Sequence, residues 1–103
     1  MKLYHATTKR AWESIKKDRK LKTCLGQICL TDELRAAIYY GEHRTQLPKE
    51  FGGDSEYVVL QVDSDDLDKK ELNTYYEMIC KILNIKHFYS YWKDIPIDKI
   101  KKL

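Results

Sequence analysis

Ile28-Cys29-Leu30-Thr31-Asp32-Glu33-Leu34-Arg35-Ala36-Ala37-Ile38-Tyr39-Tyr40-Gly41 is the stretch on which the fold of this chain turns. Ile28 to Leu30 are three consecutive apolar residues and suit a short buried strand. Thr31 follows as a good helix N-cap, with Asp32 and Glu33 behind it in the first turn, where the helix dipole favours negative charge. Leu34, Ala37 and Ile38 recur at helical spacing, and Gly41 supplies a C-terminal stop. The stretch predicts a strand, a sharp turn and a helix of about ten residues that ends on paired tyrosines. A second junction of this kind, Leu3-Tyr4-His5-Ala6-Thr7-Thr8, opens the chain. Loops that leave strands and enter helices are common places for sites. The function read below depends on these two junctions lying side by side.

At 103 residues the chain is read as a single domain, 1–103, with one modest core. Apolar residues at 43% and charged residues at 34% exclude the disordered class. No apolar run approaches the roughly 20 residues of a membrane span, and Met1 to His5 lacks the apolar stretch of a signal peptide. A cytoplasmic protein with no membrane partner is the expectation. Cys24, Cys29 and Cys80 leave one thiol unpaired under any disulfide scheme, and their spacing matches no zinc pattern. They are read as buried reduced thiols rather than as a metal site with His43 and His87. Basic residues gather at Lys16, Lys17, Arg19, Lys20 and Lys22, and again at Lys99, Lys101 and Lys102. Either run could follow a phosphate backbone. Glu13 and Asp18 interrupt the first, the net charge is only +3, and solvated faces are the commoner explanation, so nucleic acid is not the favoured partner.

Taken in order, residues 2 to 6 predict a first strand with Leu3 and His5 on one face and Tyr4 on the other. Thr7 or Thr8 then caps a helix through about residue 18, with Trp12 and Ile15 as its core stripe. Lys20 to Thr23 is an extended piece, and Leu25-Gly26-Gln27 a turn. Residues 42 to 54, with Pro48, Gly52 and Gly53, predict a surface loop in which Phe51 pins the loop or acts as a lid. Glu56 to Val62 is the clearest strand, buried on both faces. Asp63, Asp65, Asp66 and Asp68 form an acidic turn without the glycine or terminal glutamate of a calcium loop. Residues 69 to 84 have helical spacing at Leu72, Tyr75, Tyr76, Ile79, Ile82 and Leu83. Lys86 to Trp92 is an aromatic strand broken by Asp94-Ile95-Pro96-Ile97, and Ile97, Ile100 and Leu103 permit either a helical turn or an edge strand. The sum is a mixed α+β domain with several short strands and about three helices.

Leu3-Tyr4-His5-Ala6-Thr7-Thr8, a short helix, the stretch from Ile28 to Gly41, Tyr57-Val58-Val59-Leu60-Gln61-Val62-Asp63 and a closing Asp94-Ile95-Pro96-Ile97-Asp98-Lys99-Ile100 together resemble the ADP-ribosyltransferase superfamily. The resemblance runs nearly end to end. It implies a split, twisted sheet around a cleft that binds NAD. His5 matches the first-strand histidine that hydrogen-bonds the adenosine ribose. Thr7 and Thr8 follow where main-chain groups and small hydroxyls would meet the nicotinamide side. Tyr40 matches the aromatic that packs on the nicotinamide ring, with Tyr39 as the alternative, and Thr31 lies just before that helix. By this resemblance His5 and Tyr40 carry the chemistry, and His5, Thr7, Thr8, Thr31, Tyr39 and Tyr40 hold the nucleotide. The chemistry suits these types, because ribose hydroxyls want a fixed donor or acceptor and a flat ring wants an aromatic face.

One departure stands out. Many members carry a glutamate on a late strand, and the matching residues here, His87-Phe88-Tyr89-Ser90-Tyr91-Trp92, contain no acid. Glu56 and Glu77 do not fit its place; Tyr89 or His87 are the candidates to substitute. Loss of that carboxylate leaves binding intact while removing charge stabilisation in the transition state. The leading expectation is a domain that binds NAD or an ADP-ribose-containing nucleotide, and that if active passes ADP-ribose to a protein or nucleic-acid acceptor. The rival is a non-catalytic binder or inhibitor, of a size that suits phages and mobile elements, that sequesters a nucleotide or docks on a partner protein. A relative that processes RNA ends is the third, for which more basic residues than Arg10 and Arg35 would be wanted in the cleft.

Overall fold

The computed structural model describes residues 1–51, 53–75 and 88–103. At its centre is β1 (Lys2–Thr8), whose Thr8 ends the strand and caps α1 (Lys9–Asp18). Arg19 turns into the left-handed region at φ 60° and sends the chain into the two-residue β2 (Lys20–Leu21). A tight hairpin at Cys24–Gln27 follows, then β3 (Ile28–Thr31) and α2 (Leu34–Thr45). β4 (Tyr57–Asp63), β5 (Leu72–Tyr75), β6 (Phe88–Tyr91), β7 (Ile95–Pro96) and β8 (Lys101–Lys102) complete the described elements. Six strands form one sheet in the order β5-β6-β3-β1-β4-β8, β2 pairs β7 separately, and every described pairing is antiparallel. The domain is thus a small α+β fold. Among the described residues it has two α-helices rather than about three, with short 3-10 turns at Lys49–Phe51, Ser64–Asp66 and Ile97–Lys99.

The sheet buries both faces. Leu3, Leu30, Leu60, Val62, Tyr89 and Tyr91 share one core cluster with Ile15 of α1, Leu21 and Ile95. Leu3, Leu30, Leu60 and Ile95 are fully buried, each worth about 1.5–3 kcal/mol of apolar transfer. The opposite face carries Val59 and Phe88, covered by α2 through Ala36 and Ala37. Two-sided burial of β4 was legible in its run of apolar residues.

Several local expectations give way to tertiary contacts. Thr31 is not the N-cap of α2: it is the last residue of β3, paired to Tyr4 and Phe88, and its Oγ1 accepts from the Glu33 N–H at 3.2 Å. The helix therefore begins at Leu34, and Asp32 and Glu33 lie outside its first turn. Gly41 does not stop it either. The helix continues to Thr45, and Gly41 is buried where a Cβ would run into the Tyr57 ring. Leu34, the first of the residues at helical spacing, is exposed; Ala36, Ala37 and Gly41 form the buried face. Leu72–Tyr75, expected to open a helix over 69 to 84, pairs in register with Phe88–Tyr91 instead. Residues 76 to 84 of that expected helix, with Glu77 and Cys80, lie outside the described residues, as do His87 of the expected aromatic strand and Gly52. Ile95–Pro96 forms a short strand of its own, and the chain end supplies both a 3-10 turn and an edge strand.

Candidate functional site

β1 and β3 share one residue pair, Tyr4 with Thr31, although β1 runs seven residues. Past that pair the strands part, and the sheet forks. The imidazole of His5 spans the opening: its Nδ1 lies 2.7 Å from the carbonyl oxygen of Cys29. A carbonyl only accepts, so the proton sits on Nδ1 and Nε2 is left as a lone-pair acceptor. Burial lowers the His5 pKa, the bond to Cys29 opposes this, and the charge of Arg44 lowers it further. His5 is therefore neutral near pH 7.

A cleft of about 810 Å³ opens at this fork. His5, Thr7, Thr8, Thr31 and Tyr40 all line it. The two junctions singled out in the sequence thus meet, with residues of β1, α1, β3 and α2 all lining the cleft. Tyr39 does not line the cleft and is not core either: it is 44% exposed, edge-on to Tyr40 with ring centroids 6.2 Å apart. Tyr40 also meets Phe88 edge-on, with ring centroids 5.7 Å apart and an interplanar angle of 82°. Cys24 and Cys29 are exposed rather than buried, and no cluster of metal-binding side chains exists among the described residues.

The start of α1 is closed to a ligand by the protein itself. Lys9 N–H donates to the Glu56 carbonyl at 3.1 Å, Arg10 N–H to Asp54 Oδ2 at 3.0 Å, and Ala11 N–H to Thr8 Oγ1 at 3.1 Å. The Arg10 N–H holds the Asp54 carboxyl below its ordinary pKa. These three helix-start amides are thus engaged, and the side chains of Thr7 and Thr8 remain on the wall.

Charged groups on the wall are engaged too. Lys22 pairs with Asp18 at 3.3 Å, Lys20 reaches Asp94 at 3.5 Å, and Arg10 donates to the Gly53 carbonyl at 2.9 Å. Arg44 is the exception: its guanidinium has no hydrogen bond or ion pair among the described residues. Reading Gly41 as the end of the helix hid it. The signal was the spacing Ala37, Tyr40, Arg44, three residues of one helix face, all of which line the cleft.

Tyr89 does not stand in for an acid on the cleft wall. It belongs to the core cluster, its hydroxyl 3.7 Å from the Met1 sulfur, and burial and the charge of Asp32 raise its pKa. Phe88 is the residue of the aromatic strand that reaches the cleft. No described helix is long and apolar enough to cross a membrane.

No known protein family's profile matches the chain, and no curated protein matches it. Solved structures do. Protein CC0527 from Caulobacter crescentus superposes with a TM-score of 0.68 at 16% identity, over 100% of this chain and 84% of that one. A double mutant of the same protein gives a TM-score of 0.68 at 15% identity over the same shares. At such identity the likeness is one of fold alone: this chain has the fold of CC0527.

Proposed function

We propose that this is an ADP-ribosyltransferase-like domain whose forked cleft binds NAD or an ADP-ribose-containing nucleotide. The observation that carries the reading is the meeting of His5, Thr7, Thr8, Thr31 and Tyr40 on one cleft, from junctions more than twenty residues apart in sequence. Neutral His5 offers Nε2 to a ribose hydroxyl, and Tyr40, braced by Phe88, offers a ring face to a flat base. A cleft of this size suits a nucleotide-sized ligand.

Binding without turnover is the form of the reading that the wall chemistry favours. Among the described residues Asp18 is the one carboxylate lining the cleft, and Lys22 engages it. An oxocarbenium-like transition state would want a free carboxylate beside the sugar. In a proton NMR time course of NAD with the purified protein, NAD lines broaden and no nicotinamide is released, and a Tyr40→Ala variant loses the broadening. Nicotinamide release by the native protein would instead establish cleavage, with transfer to water or an acceptor. Sharp NAD and ADP-ribose lines at high protein concentration would overturn the reading.

A further inference from the structure

We propose that Arg44 is the anion-binding residue of the cleft, the group that takes the phosphate of a nucleotide and so favours it over the phosphate-free nucleoside. The inference deepens the nucleotide reading above and rests on it for the identity of the ligand. It starts from the supply of positive charge. Of the four cationic side chains on the wall, Arg10, Lys20 and Lys22 are committed to Gly53, Asp94 and Asp18. The usual alternative, a row of N–H groups at a helix start, is also spent: the first three amides of α1 donate within the protein. That leaves Arg44 to meet a negative group.

Its position fits the task. Arg44 follows Tyr40 by one helical turn and Ala37 by two, so the three share a face. It is close enough to His5 for its charge to depress the imidazole pKa. A planar ring on Tyr40, a hydroxyl at His5 and an anion at Arg44 are the three parts of a nucleoside phosphate. A last-turn cation complements the dipole of any helix, but that leaves its place on the cleft wall unexplained. Guanidinium also presents a planar fork that matches two phosphate oxygens, which an ammonium does not.

The test titrates ADP-ribose, adenosine and inorganic pyrophosphate into the native protein, Arg44→Ala, Arg44→Lys and the control Arg35→Ala. Arg35 sits on the same helix beside Glu33 and does not line the cleft. Arg44→Ala weakens ADP-ribose by about tenfold or more, the scale of a charge-assisted hydrogen bond, and leaves adenosine unchanged. Arg44→Lys falls between, and Arg35→Ala matches the native protein. Equal loss of ADP-ribose and adenosine, or unchanged ADP-ribose, in Arg44→Ala would overturn the proposal. If the native protein binds neither nucleotide nor nucleoside, the reading of the ligand fails, and pyrophosphate decides the rest. Pyrophosphate binding that Arg44→Ala abolishes upholds the anion site; no pyrophosphate binding ends it.

Discussion

His5 is where protonation and fold meet. Its ring joins β1 to β3 where the backbone ladder has stopped, and the bond to Cys29 requires one fixed tautomer. Burial lowers its pKa below the ordinary 6.5. In the unfolded chain the imidazole gains its proton as pH falls through that value, while the folded protein resists until a lower pH. The stability it contributes is therefore complete above about 6.5 and declines as pH falls towards the folded value. Thermal midpoints measured from pH 7.5 to 5 should drop for the native protein and drop less for His5→Asn. An imidazole NMR titration should place the His5 midpoint below 6.5. The type of residue needed here was legible in the first eight residues. Its partner was not, because a carbonyl 24 residues away leaves no mark on the side-chain sequence.

The two helices show how far an element's ends can be read locally. Thr8 caps α1 as its type and place suggest, with its hydroxyl 3.1 Å from the Ala11 nitrogen. Thr8→Ala should cost about 1 kcal/mol in a denaturant titration, and Thr8→Ser much less. Gly41 in α2 is the opposite case. Helix propensity alone makes Gly→Ala favourable by about 1 kcal/mol, but the added methyl would enter the Tyr57 ring, and overpacking costs about 1–3 kcal/mol. Gly41→Ala should thus lower stability on balance, and Tyr57→Leu in the same chain should recover part of the loss. The glycine is there for β4 packed against the helix, not for the helix's end. The hairpin at Cys24–Gln27 is stricter still: Leu25 and Gly26 adopt φ of 55° and 88°, and Cys24 and Gln27 exchange both backbone bonds. Its place as a turn was visible from Gly26; that Leu25 shares the left-handed strain was not.

At the scale of the whole molecule, the chain is closed by pieces too short to recognise. β7 and β2 are two residues each, yet Leu21 pairs with Ile95, Asp94 accepts from the Thr23 N–H at 3.0 Å, and Ile97 N–H donates to the Arg19 carbonyl at 3.0 Å. Ile95 is fully buried in the main cluster with Leu3 and Ile15. Ile95→Ala should remove about 2–5 kcal/mol, a large share of the 5–15 kcal/mol typical of a domain, and should do so in one cooperative transition by fluorescence and circular dichroism alike. By itself the sequence determined the α+β class, the first strand and the helix that follows it, the strand at Tyr57–Asp63, and the residue types at the two junctions. These follow from periodicity and capping, which act over a few residues. Only the tertiary structure decided that Leu72–Tyr75 is a strand, because its partner Phe88–Tyr91 lies elsewhere in the chain. It alone carried α2 past Gly41, forked the sheet between β1 and β3, and brought Arg44 and His5 to one cleft. Each of these depends on which surfaces meet after the chain has folded, and such contacts have no period to read.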